Sequence, residues 1–121
     1  MLPQRSRIRL GPEIRNVVKR GRRFTTDTSI AYLRLREAST GCRFGYICGK
    51  SVGNAVIRNH TLRRFRSICA DYLDDDGVAR LDIVIRIQKS AAEEDFQKLR
   101  HDVIRIMRFG AKVSQKEPTG G

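Results

Sequence analysis

Acidic side chains are missing from the whole stretch between Glu37 and Asp71. Six cations, Arg43, Lys50, Arg58, Arg63, Arg64 and Arg66, occupy it with nothing of opposite sign. A helix face that is merely solvated mixes signs, so that charges three or four residues apart attract instead of repelling. Long apolar runs are absent too: none approaches the roughly 18 residues of a membrane-spanning helix. The start, Met1-Leu2-Pro3-Gln4-Arg5, has no apolar segment of the kind a secretory signal needs. These absences argue against a membrane protein and predict a soluble, cytoplasmic one. Tryptophan is lacking, and the three cysteines, Cys42, Cys48 and Cys69, form no C-x-x-C pair and have no histidines at zinc spacing. They read as small buried apolar residues and not as metal ligands or disulfides.

Catalytic constellations are equally scarce. A metal-dependent nuclease needs carboxylates converging on one point, but here the acids form a consecutive loop, Asp74-Asp75-Asp76, or lie scattered along the chain, several of them around the last helix. His60 and His101 have no evident nucleophile or orienting partner. Gly49-Lys50-Ser51 looks like the end of a phosphate-binding G-x-x-x-x-G-K-[ST] loop, yet Phe44 stands where its first glycine belongs. No catalytic residue and no metal site is therefore expected in the chain itself.

What is present is charge, unevenly placed. The chain has 121 residues, enough for one domain, and a net charge of +12. Residues 1–66 hold sixteen cations and three acids, and residues 67–121 nine cations and ten acids. All the excess lies in the first half, which points to a polyanionic partner, nucleic acid before an anionic membrane surface. Arginine dominates, as suits bidentate contacts with phosphate.

Hydrophobic periodicity supplies the elements. Pro12 to Arg20 predicts a short helix, with Ile14, Val17 and Val18 on one side and Gly21 as its stop. Arg22–Thr25 is a short strand. Residues 29–37 alternate, with Ala31, Leu33 and Leu35 facing one way and Ile30, Tyr32, Arg34 and Arg36 the other. After the Ser39-Thr40-Gly41 turn, CRFGYICG predicts a strand, expected to pair with the preceding one as a hairpin. Asn54 is a good N-cap for a helix running from Ala55 to about Tyr72. LDIVIRI, residues 81–87, is an apolar strand. Ser90-Ala91-Ala92-Glu93 has the form of a capping box ahead of a helix to about Phe109 marked by Phe96, Leu99, Val103 and Met107. The prediction is a single α+β domain of order αβββαβα over residues 1–110, with residues 111–121 as a disordered tail.

In the Ala55 helix, Thr61, Leu62, Phe65, Ile68 and Cys69 gather on one side at about 100° per residue. Asn59, Arg63 and Arg66 make a stripe along one flank, and His60, Arg64 and Ser67 occupy the other. The face is built to bind, and Asn59 adds a donor and an acceptor that phosphate alone would not require.

The run KSVGNAVIRNHTLRRFR, Lys50 to Arg66, resembles the signature of the protein subunit of bacterial ribonuclease P, approximately K-x-V-G-N-A-V-x-R-N-R-x-K-R-x-L-R. Lys50, Val52, Gly53, Asn54, Ala55, Val56, Arg58, Asn59, Arg63 and Arg66 match. A weaker likeness extends over RIRLGPEIRNVVKRG and LDIVIRIQKSA. The resemblance implies a two-layer αβββαβα sandwich with a left-handed β-α-β crossover. It also implies a monomeric protein that joins a catalytic RNA to remove the 5′ leader from precursor tRNA. In that family the RNA carries the chemistry and binds most of the Mg²⁺ it uses. Lys50, Asn54, Arg58, Asn59, His60, Arg63, Arg64 and Arg66 would then meet RNA, and Ile14, Val18 and Tyr32 would line a cleft for the leader. Departures stand out: His60 replaces the second arginine of the signature, Leu62 its lysine, and Ile14 and Val18 stand where relatives often carry aromatics. The competing readings are a ribosomal or other RNA-scaffold protein, which would need no aromatic cleft, and a DNA-binding regulator, which would want a tight helix-turn-helix.

Overall fold

A computed structural model describes residues 7–8, 11–37 and 41–116. Helix α1 (Gly11–Arg20) leads into β1 (Arg22–Thr25), β2 (Ser29–Leu35) and β3 (Arg43–Ile47), followed by α2 (Ala55–Ala70), β4 (Leu81–Ile87) and α3 (Phe96–Lys116). The predicted order holds throughout. No helix among the described residues is long and apolar enough to cross a membrane.

The strands form one sheet in the order β1-β2-β4-β3. The hairpin of the chain joins β1 to β2, with Thr25 opposite Ile30 and the Thr26 amide bonded to the Ser29 carbonyl at 2.8 Å. The hairpin expected between β2 and β3 does not form. Strand β4 lies between them, antiparallel to β2 and parallel to β3, and helix α2 makes the crossover from β3 to β4. The reason is burial: β4 is covered on both faces, with only Arg86 exposed. A β2–β3 hairpin would push this doubly apolar strand to an edge, where one side would lie open to water.

Alternation then sorts the side chains. Ala31, Leu33, Phe44, Leu81, Ile83, Ile85 and Ile87 form the main core with Phe65, Ile68 and Cys69 of α2 and Leu99, Val103, Ile106 and Met107 of α3. The opposite face carries a second, smaller cluster of Ile8, Val17 and Val84 beneath α1. The Ile8 amide bonds to the Phe44 carbonyl at 2.9 Å, so the N-terminal segment covers the outer edge of β3. All three cysteines are free, Cys42 and Cys69 buried and Cys48 half-buried. Burial pushes the Cys69 thiol up to about 12, as befits an inert core residue.

Two boundaries near the C-terminus differ from expectation. Ser90 does not cap α3: it sits in a 3₁₀ turn, Lys89–Ala92, and its hydroxyl donates to the Asp27 carbonyl at 2.8 Å. Asp95 takes the capping role, its carboxylate accepting from the Lys98 amide at 2.8 Å. The helix also continues past Phe109 to Lys116, because Val113 still finds the core. Residues 117–121 of the expected tail, and Ser39 and Thr40 of the expected turn, lie outside the described residues.

Candidate nucleic-acid interface

Helix α2 begins after a 3₁₀ turn, Lys50–Val52, in which only Val52 is buried. Gly53 then adopts φ 155°, and a β-carbon there would lie 2.7 Å from Cγ2 of Ile57. Only glycine turns the chain this sharply into the helix. Asn54 caps it as predicted, its side-chain oxygen accepting from the Ile57 amide at 3.0 Å.

The anchoring of α2 is confined to the residues from Thr61 onward, where Thr61, Phe65, Ile68 and Cys69 are buried. The first turn projects into solvent, with Val56 77% and Ile57 41% exposed. Asn59, His60, Arg63, Arg66 and Ser67 are exposed, and Arg58, Leu62 and Arg64 half-buried. Arg58, Asn59, Arg63 and Arg66 spread along about 12 Å of helix axis. Among the described residues, none of Lys50, Arg58, Arg63, Arg64 and Arg66 has an acidic partner within salt-bridge distance. The cationic face inferred from sequence is thus uncompensated in three dimensions as well.

Two of these arginines also touch the protein. The Arg66 guanidinium lies 5.9 Å from the centre of the Tyr46 ring, which keeps it close to β3. Arg64 points to the other flank and donates to the carbonyls of Glu94 at 2.7 Å and Ala91 at 3.0 Å, bracing the turn before α3. Its guanidinium is partly engaged at home.

On the other face of the sheet, Ile14, Val18 and Tyr32 come together around Val17 and Val84. Ile47 joins them. Strand pairing sets Arg23, Tyr32, Val84 and Gly45 in one row across this face, and Thr25, Ile30, Arg86 and Ile47 in the next. Gly45 lets Ile8 pack close, since a β-carbon there would lie 3.1 Å from that of Ile8. Tyr32 and Ile30 are half-buried, while Arg23 and Arg86 are exposed. An aromatic and aliphatic floor flanked by cations is the surface that a single strand of nucleic acid needs, since bases stack while phosphates pair. Arg86 and Ile47 escaped the sequence reading because their place beside Tyr32 depends on β4 being the central strand.

One end of that face is locked by charge. Asp82 lies between Arg36 Nε at 2.9 Å and Arg43 Nε at 3.2 Å, and Arg43 reaches Glu13 of α1 at 2.9 Å. Burial pushes the Asp82 carboxyl above its ordinary range, outweighing the pull of Arg43 and Arg36. Arg36 also donates to the carbonyls of Gly41 and Ala79, closing the loop beside it. The other buried carboxylate, Asp102, accepts from the Thr28 hydroxyl at 2.7 Å and lies 3.3 Å from Lys98. Both buried acids therefore serve the fold.

The family model for ribonuclease P matches residues 2–109. The chain belongs to the ribonuclease P protein family. A ribonuclease P protein component of a Nocardioides species is 36% identical over 118 residues, covering 94% of this chain and 99% of that one. One from Syntrophomonas wolfei is 34% identical over 108 residues, covering 89% of each. Among solved structures, an RNase P protein of Staphylococcus aureus superposes with a TM-score of 0.76 at 18% identity, over 86% of this chain and 94% of that one. One from Thermotoga maritima gives 0.68 at 22% identity, over 83% and 93%. At these identities the structural likeness establishes the fold, and the sequence matches establish the family. A ribonuclease P protein is an RNA-binding subunit of an endoribonuclease holoenzyme, partnered with ribonuclease P RNA in tRNA processing.

Proposed function

We propose that this chain seats its RNA partner on α2 and holds the single-stranded 5′ leader of precursor tRNA against the α1 side of the sheet. The observation that carries this reading is the pairing of two unlike surfaces on opposite faces. One is a cationic helix without acidic partners, and the other an apolar floor around Tyr32 edged by Arg23 and Arg86. Lys50, Asn54, Arg58, Asn59, His60, Arg63 and Arg66 would meet the catalytic RNA, with Arg64 contributing charge from its braced position. Ile14, Val18 and Tyr32 would contact the leader, and stacking of one base on Tyr32 is worth about 1 to 3 kcal/mol. The aliphatic Ile14 and Val18 supply contact area without stacking.

Bond cleavage falls to the RNA in this reading, with Mg²⁺ bound there. Among the described residues no three His, Cys, Asp or Glu groups come together. The protein's work is electrostatic and positional, as a single copy per complex, in the cytoplasm. With about 6 phosphates neutralised, affinity for the RNA should fall on the order of 10³-fold between 50 and 200 mM salt.

The test is cleavage of a 5′-extended precursor tRNA at low Mg²⁺ by ribonuclease P RNA alone, by the protein alone and by both. Leader removal that requires both components supports the reading. Cleavage by the protein alone would mean that the chain has an active site of its own. No effect on cleavage, together with tight binding of other structured RNA, would favour a scaffold role.

A further inference from the structure

Helix α3 carries a second cationic surface that the family signature does not reach. His101, Arg105, Arg108 and Lys112, at i, i+4, i+7 and i+11, are all exposed and form one stripe about 16 Å long. The helix contains a single acid, Asp102, and that carboxylate is completely buried against Thr28, so it offsets nothing on the outer face. Arg108 and Lys112 have no hydrogen bond, ion pair or ring contact with any described residue.

The edge of the sheet extends this surface. Thr28 meets Asp102, and Phe24 stacks on Phe109 at 4.9 Å with Arg105 5.6 Å above its ring. Strand β1 therefore runs along α3, with Arg22 on the same face of the strand as Phe24. Asp27 is the acid beside the stripe: it sits at the other end, held by Lys98 at 2.7 Å, with His101 and Arg105 near it. At the Arg108–Lys112 end the 3₁₀ turn Asp76–Val78 packs against α3, where a β-carbon on Gly77 would lie 3.9 Å from that of Ala111, yet neither Arg108 nor Lys112 forms an ion pair with a described acid. Repulsion of this kind destabilises a helix, and the same uncompensated repulsion marks α2.

We propose that the Arg105–Arg108–Lys112 stripe of α3 is a second docking surface for the phosphate backbone of the ribonuclease P RNA, engaging a segment distinct from the one on α2. The RNA is the fitting occupant because α2 and α3 cover the same face of the sheet, whereas the leader surface lies on the opposite face. Helix α2 borders β3 and α3 borders β1, strands roughly 14 Å apart across the sheet, so one large folded RNA reaches both. The inference rests on the function proposed above.

The test uses the full chain and ribonuclease P RNA, with affinity measured as a function of salt for the wild type, for Arg108→Gln with Lys112→Gln, and for Arg63→Gln as reference. Losing two phosphate contacts flattens the salt dependence, so the wild type should lose about tenfold more affinity than the double variant between 50 and 200 mM. Unchanged thermal unfolding of the double variant shows that it is folded, and the charge-preserving swap Arg108→Lys with Lys112→Arg should keep the wild-type slope. A double variant with the wild-type slope, alongside a flattened Arg63→Gln, overturns the α3 site and leaves the proposed function standing. A loss confined to precursor tRNA binding by the assembled complex, or to self-association through the acidic 74–76 loop, also overturns it. Salt-independent binding by the wild type overturns both.

Discussion

The two faces of the sheet are built from the same strands and do different work. Beneath α2 and α3 most of the inward-facing strand residues disappear into a continuous core that includes Phe65, Leu99 and Ile106. Beneath α1 the buried apolar cluster is only Ile8, Val17 and Val84, and their neighbours Ile14, Val18, Tyr32 and Ile47 stay partly accessible. A short amphipathic helix cannot cover a four-stranded sheet. What it leaves open is an apolar surface with an aromatic and flanking arginines, which in water is more useful as a binding site than as a stabiliser.

The comparison breaks most sharply at its closed face. Phe65→Ala removes a fully buried ring and should cost about 3 to 5 kcal/mol of unfolding free energy, read by urea titration. On the open face, Tyr32→Ala should barely move the unfolding midpoint while weakening leader binding by about 1 to 3 kcal/mol, roughly 5- to 150-fold, in a precursor tRNA titration. Arg63→Ala on the outer side of α2 should leave stability within about 0.5 kcal/mol, since the side chain is exposed and has no partner among the described residues. Its effect should instead appear as a weaker and less salt-dependent affinity for the RNA.

The smallest effect concerns the charge lock that sets α1 on the sheet. Burial raises the Asp82 carboxyl above its ordinary 3.8, so the folded chain holds this proton more tightly than the unfolded one. Its contribution favours folding at low pH and fades as pH rises from about 4 through the folded value. Asp82→Asn should remove that slope from the pH dependence of unfolding, whatever its effect on absolute stability.

Much of this was legible in the sequence because it depends on local signals. The Asn54 cap, the apolar seam of α2 and the parity of residues 29–35 need only a neighbouring turn or a strand's alternation to be read. The missing acids between Glu37 and Asp71 announced the cationic face, since no fold could supply compensation from within that segment. Strand order was not local. The clue to a central β4 was its near-continuous apolar run, which a parallel neighbour and coverage on both faces explain, and with the strand misplaced Arg86 and Ile47 could not be set beside Tyr32. The start of α3 was misjudged for a similar reason: Ser90 has the chemistry of a cap, but the Asp27 carbonyl, distant in sequence, claims its hydroxyl. Arg64 looks like its neighbours in sequence, and only tertiary contact reveals that it braces Ala91 and Glu94.

The central claim is that the open face of the sheet holds the leader while α2 holds the RNA. The most direct measurement is the affinity of the assembled complex for precursor tRNA relative to mature tRNA, in the wild type, Tyr32→Ala and Arg63→Ala. The account predicts that Tyr32→Ala reduces the preference for precursor at least about fivefold, while Arg63→Ala weakens assembly with the RNA and leaves the preference unchanged once the complex is saturated. A preference that survives Tyr32→Ala intact, or that falls with Arg63→Ala instead, would contradict it.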